Sequence, residues 1–343
     1  DKNNVNENWE PVWGELKTIK NNYTELTVNL IQPKLKDRKF TIVFRLFDDG
    51  LGFRYIFTEQ QDFKNFIIKS ERSEFALTGD HKAFWIPGDY DTNEYSYSHT
   101  KLSEVDATFG KGFNEIGSKT IIGKNFVQSP LMMKTAENLY INIFEAALVN
   151  YPAMQLKVNQ QNFVLTSELV PDANGNMAYL QAPCKTPWRT IIVSDKAEDI
   201  LASKMILNLN DPSKIKDPSF IQPMKYVGIW WEMHIGTASW NYADMNVPEL
   251  KSIDWSKVKP NGRHGATTER TKRYIDFAAA HNIQGVLVEG WNIGWEDWGS
   301  YYREEVFDFV TPYPDFNIKE VTDYAKSKGI KMIMHHETSA SVA

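Results

Sequence analysis

The chain has 343 residues, 42% hydrophobic and 13% aromatic, with a formal net charge of −6. That length allows about two domains with buried cores, and the acidic balance argues against a nucleic-acid partner, which favours a basic face. Cys184 is the one cysteine, so no internal disulfide is possible; no apolar run reaches bilayer length, and DKNNVNENWEPVW at the start lacks the regions of a signal peptide.

Up to about residue 208 the pattern has the period of strands. RKFTIVFRLFDDGLGFRYIF alternates Phe40, Ile42, Phe44 and Leu46, then Leu51, Phe53, Tyr55 and Phe57. Asp48-Asp49-Gly50 between the two runs predicts a hairpin turn. YTELTVNLI, LYINIFEAAL, MQLKVNQQNFVLTSEL and WRTIIVS read the same way. Many short strands with turn signals predict a β-sandwich over residues 1–208. The loop WIPGDYDTNEYSY carries Asp89, Asp91, Asn93 and Glu94, a hard-cation composition without EF-hand spacing. A solvated acidic loop is the ordinary alternative.

Pro212, Pro218 and Pro223 mark residues 209–224 as a linker, and from residue 225 to 343 the period changes. YVGIWWEM, QGVLVEG and IKMIMHHE predict strands. TTERTKRYIDFAAAHN predicts a helix capped by Thr267 or Thr268, with Tyr274, Phe277 and Ala278 on its buried face. NIKEVTDYAKSKG predicts a second, with a capping box from Asn317 to Glu320 and Gly329 past its end. Strand–helix alternation with nearly continuous apolar strands implies a parallel α/β layer, of which about three units of a barrel's roughly eight are present.

Each of these strands runs into polar or aromatic groups: Trp230, Trp231 and Glu232; Glu289 and Trp291; His335, His336 and Glu337. In α/β barrels the C-terminal strand ends carry the chemistry. Alternation puts His335 and Glu337 on one face and His336 on the other, so the two histidines cannot chelate one ion together. Glu337 is a candidate general base or nucleophile, with His335 as its hydroxyl-binding or charge-tuning neighbour. A solvated strand end is the competing reading, and for Glu289 an exposed loop start competes evenly. Trp230, Trp231, Trp291, Trp295 and Trp298 are candidate sugar-stacking rings, though core packing is the commoner use of each.

KYVGIWWEM, GATTERTKRYIDFAAAHNIQGVLVEGWNIGWEDW, FDFVTPYPDF and KGIKMIMHHETSAS, with FRLFDDGLGFRY, SPLMMK, EAALVNYPAM and TPWRTIIV before them, resemble glycoside hydrolase family 97, especially its starch-acting α-glucosidases. The resemblance covers nearly the whole chain. It implies an N-terminal β-super-sandwich, here lacking its earliest strands, followed by the first part of a catalytic (β/α)8 barrel. It also implies export to the periplasm, a calcium ion at the active site and an α-linked oligosaccharide substrate. In the inverting subgroup the glutamate of HHET is a catalytic base, here Glu337. The glutamate of NEY is a calcium ligand, here Glu94, and the glutamate of VEGWN and first histidine of HHE contact substrate, here Glu289 and His335. The general acid and the other calcium ligands fall outside this sequence, so the chain alone is expected to be inactive. The alternatives are a retaining α-galactosidase of the same family and a non-catalytic carbohydrate-binding module.

Overall fold

The structure, a computed structural model, describes residues 1–35, 38–109, 120–247, 249–298 and 306–338. It divides into two compact units, Asp1–Pro218 and Ser219–Ala343.

The first unit is mostly β-sheet. Its larger sheet runs in the order Lys2–Trp9, Ile19–Gln32, Arg38–Leu46, Gly50–Phe57, Trp188–Ser194, Tyr140–Ala146, Leu131–Lys134, Lys82–Trp85 and Ser98–Lys101, with Cys184–Lys185 paired onto Gly50–Phe57. The hairpin read from the sequence is present: Leu46 pairs with Leu51, and the Phe47 amide donates to the Gly50 carbonyl at 2.8 Å. A second sheet runs Glu74–Ala76, Val164–Leu169, Met154–Val158 and Phe126–Gln128. One buried cluster takes Leu131, Met133 and Ile143 from the first sheet and Leu156, Val158 and Leu165 from the second. Two sheets closing on one core is the sandwich that the period-two pattern predicts, because each strand turns alternate side chains to that core. Two short helices, Ala197–Ala202 and Met205–Asn208, lie in a stretch read as strand and connection.

A buried charge cluster crosses this core. Arg189 is fully buried and grips Glu71 with two bonds, Nε to Oε1 and Nη2 to Oε2, both 2.7 Å; its Nη1 donates to Glu145 Oε2 at 2.6 Å. Tyr151 and Ser73 also donate to Glu71, and the Met154 amide donates to Glu145. Glu145 lies in the larger sheet and Met154 in the smaller, so the cluster laces the layers together.

The second unit is built on three parallel strands, Tyr226–Ile229, Gly285–Val288 and Lys331–Met334, in register from Tyr226–Gly285–Lys331 to Ile229–Val288–Met334. Helices Thr268–Ala280 and Ile318–Ser327 connect them. Val286, Val288, Ile275, Ala278 and Val321 share one core. Thr267 caps the first helix, its Oγ1 accepting from the Arg270 amide; Asn317 caps the second, accepting from the Glu320 amide, and Gly329 follows at φ +71°.

Three expectations are corrected here. The first strand ends at Ile229, and residues Trp231–His234 form a helical turn instead of continuing to Met233. The Trp230 ring folds back over Gly228, where a Cβ would lie only 2.8 Å from Cδ1. Phe277 is 50% exposed, because the buried stripe of its helix runs through Thr271, Ile275 and Ala278. The reciprocal half of the Asn317 capping box is absent: the Asn317 amide already donates to Thr268 Oγ1, and Glu320 pairs with Lys272.

Candidate active site

Parallel pairing decides what meets at the strand ends. Ile229, Val288 and Met334 stand side by side as the last paired level. The Glu289 amide still donates to the Ile229 carbonyl at 3.2 Å, and the His335 amide to the Val288 carbonyl at 3.0 Å. Glu289 and His335 are therefore neighbours one level beyond the sheet. Glu337, two residues on, returns to the face of His335.

His335 Nε2 stands 3.8 Å from Glu289 Oε1 and 3.5 Å from Glu337 Oε2. One donor atom from each of the three side chains lies within 4.8 Å of the other two. All three side chains are partly covered, at 16% exposure for Glu289, 19% for Glu337 and 32% for His335. His335 Nε2 is enclosed and has no hydrogen-bond partner among the described residues, the two carboxylates standing just beyond bonding distance. Burial pushes the Glu289 carboxyl above its ordinary range; His335 opposes that shift and the Glu337 charge adds to it. The Trp240 indole N–H is near enough to favour the charged form of Glu289 but falls outside hydrogen-bond geometry.

Indole rings wall the cluster. Trp295 approaches the His335 ring, with centroids 6.4 Å apart, and Trp240 and Trp298 pack on Trp295. Trp291 is buried, and its Nε1 donates to the His335 carbonyl at 2.8 Å, so it ties the second strand end to the third. His336 turns to the opposite face, against Trp291 and Phe309, as strand alternation requires. Glu296 is half-buried nearby but engaged: it accepts from Tyr313 Oη at 2.5 Å and from the Tyr242 and Ala243 amides.

The fold brings Glu289, His335 and Glu337 together. Trp230 and Trp231 sit at the end of the first strand, 39% and 54% exposed; among the described residues their ring contacts are with each other and with His234. Glu94 belongs to the first unit and is exposed, its amide donating to Thr92 Oγ1 at 3.3 Å. Asp89 in the same loop is buried, its carboxylate taken up by the amides of Asp91, Thr92 and Thr120 and by Tyr95 Oη. Asp89 thus builds the loop and has no free oxygen for an ion. Trp240 carried no sequence signal, because it lies in irregular chain between elements.

Calcium takes six to eight oxygen donors. The Glu94 carboxylate fits that preference as one hard-oxygen ligand. The Glu289–His335–Glu337 group offers two carboxylates and an imidazole nitrogen, a mixed set that suits a transition metal better.

Two carboxylates and an imidazole at the ends of parallel strands, walled by indoles, have the make-up of a glycoside hydrolase site. Comparison with known proteins supplies the family. Residues 1–212 match the family model for the glycosyl-hydrolase 97 N-terminal domain, and residues 230–343 match that for glycoside hydrolase 97. The chain belongs to glycoside hydrolase family 97. It is 36% identical to a family 97 enzyme from Pseudoalteromonas sp. strain K8 solved in complex with acarbose, at a TM-score of 0.82, covering 99% of this chain and 46% of that one. A variant of that enzyme in complex with panose matches at a TM-score of 0.81. The chain is also 24% identical, over 92% of its own length and 44% of the relative's, to a retaining α-galactosidase of Bacteroides thetaiotaomicron. It therefore spans less than half the length of these relatives.

Proposed function

We propose that the intact protein is an inverting α-glucosidase of family 97 that hydrolyses α-glucosidic oligosaccharides. The observation that carries the proposal is the pairing of Glu337 with His335 and Glu289 at the strand ends. Burial and the like-charged Glu337 favour the protonated form of Glu289. It donates to a sugar hydroxyl, and Glu337 takes the proton from the attacking water. The acid that protonates the leaving oxygen comes from beyond this sequence. His335 Nε2 fills its open valence on substrate or water, and Trp230 and Trp231 offer rings to a sugar face. Calcium would take the Glu94 carboxylate among its ligands and supply positive charge there. The site belongs to a closed (β/α)8 barrel following the N-terminal super-sandwich, and the protein is exported to the periplasm. Support comes from the 36%-identical enzyme solved with acarbose and with panose, the second an oligosaccharide of α-linked glucose.

The second reading is a retaining α-galactosidase. It is favoured by the Bacteroides relative. An inverting acid–base pair stands about 6.5–9.5 Å apart and a retaining pair about 5–5.5 Å. On the inverting reading, then, Glu289 and Glu337 lie on one side of the bond and are not the acid–base pair.

The test is proton NMR of the first product released by the intact protein from p-nitrophenyl α-glucoside and α-galactoside. β-Glucose supports the proposal and α-galactose supports the second reading. Binding of maltose without cleavage of either substrate would leave only a carbohydrate-binding module. Glu337→Gln should lower kcat by about 10²–10⁴ with little change in KM, the worth of a general base. Activity within a few-fold of wild type would remove Glu337 from the chemistry.

A further inference from the structure

The Glu289 carboxylate is held by no close contact: His335 Nε2 is 3.8 Å away, and the Trp240 indole N–H beside it falls outside hydrogen-bond geometry. Its position therefore depends strongly on the backbone that carries it. That backbone turns at once: Gly290 has φ +80°, and a Cβ there would lie 3.2 Å from the Trp240 carbonyl oxygen. The turn is wedged against the Trp240 main chain on one side.

On the other side stands a buried histidine. His264 is 5% exposed, and its Nε2 donates to the Gly290 carbonyl at 2.9 Å. Its Nδ1 lies 2.9 Å from both carboxylate oxygens of Asp315. The Tyr313 ring meets the imidazole edge-on at 5.0 Å, which further fixes its plane. Asp315 is itself anchored, its carbonyl accepting from the Thr268 amide and hydroxyl at 2.9 Å each. The main chain of His264 is bridged to Ser239, and the Gly265 amide donates to the Ser239 carbonyl at 2.9 Å. His264 thus joins the Trp240 segment through its main chain, the turn after Glu289 through its ring, and the helix start at Thr268 by way of Asp315.

We propose that His264, oriented by Asp315, is a positioning residue that sets the Glu289 carboxylate for substrate. The proposal rests on the reading of Glu289 as a substrate contact. A positioning error near 1 Å can cost up to about a hundredfold in rate, so loss of the Nε2 bond should be visible in kinetics.

Two isosteric variants separate the ends of the ring. His264→Gln keeps a donor near the place of Nε2 and its bond to Gly290. His264→Asn keeps only the end facing Asp315. In the intact protein His264→Gln should stay within a few-fold of wild type, and His264→Asn should lose on the order of ten- to a hundredfold in kcat/KM. In a Glu289→Gln background His264→Asn should cost nothing further. Hydrogen exchange at amides 289–292 should quicken in His264→Asn and not in His264→Gln, with the strand amides 285–288 unchanged. Equal losses in both variants, additive loss on top of Glu289→Gln, or unchanged exchange at 289–292 would overturn the proposal. If Glu289→Gln retains wild-type activity, the substrate role of Glu289 fails, and the exchange comparison alone decides the brace.

Discussion

Replacing Arg189 with methionine keeps most of the side-chain volume and removes the charge that joins Glu71 and Glu145. Three charge-assisted bonds of 2.6–2.7 Å are lost from a guanidinium at 0% exposure, between carboxylates at 5% each. Stranding buried charges in this way costs about 3–5 kcal/mol, well above the worth of an exposed ion pair. For a unit of this size about 1 kcal/mol moves the melting point by roughly 2–4 °C, so Arg189→Met should lower Tm by roughly 6–20 °C. Urea titration and thermal circular dichroism of residues 1–218 within the intact protein would read it. The pH dependence carries a sign. Burial opposes the charge on Glu71, but Arg189 outweighs it and holds the carboxyl below its ordinary value. Its contribution is present above the ordinary carboxylate range and lost as pH falls through the lowered value. Burial holds Glu145 above its ordinary value despite Arg189, so its contribution runs the other way and fades as pH rises. Without Arg189 both carboxyls are governed by burial and favour acid, so the gap between variant and wild type should narrow on acidification. Adding Glu71→Gln and Glu145→Gln to Arg189→Met should recover much of the loss, because it is the stranded charge that is costly. A single-variant loss under about 1 kcal/mol, or no recovery in the triple variant, would refute the reasoning.

Two further outcomes follow from the site. Burial and the Glu337 charge hold the Glu289 carboxyl up, against His335, so Glu337→Gln should lower its titration midpoint in carbon-13 carboxyl NMR; an unchanged midpoint would contradict the contact. Glu94→Ala in the intact protein should weaken calcium binding on the order of tenfold by titration calorimetry, since one carboxylate is a large share of six to eight ligands. Unaltered affinity would remove Glu94 from the ion.

Much was legible from period alone. The alternation from Phe40 to Phe57 placed a hairpin, and Thr267, Asn317 and Gly329 marked helix ends, because caps and turns are local chemistry that neighbouring residues dictate. HHE after an apolar strand pointed to a candidate site at a strand end, and strand alternation assigned His335 and Glu337 to one face and His336 to the other. What the sequence could not supply was register. Glu289 and His335 meet only because Val288 pairs with Met334, and no local signal specifies that pairing. The same holds for Arg189 with Glu71, 118 positions apart, and for His264 with Gly290. Propensity and period act over a few residues, whereas these contacts join distant segments whose meeting is chosen by the packing of whole layers. Trp240 shows the limit most plainly: it sits in irregular chain with no periodic neighbours, and it became part of the site only when the tertiary structure laid its segment against Gly290.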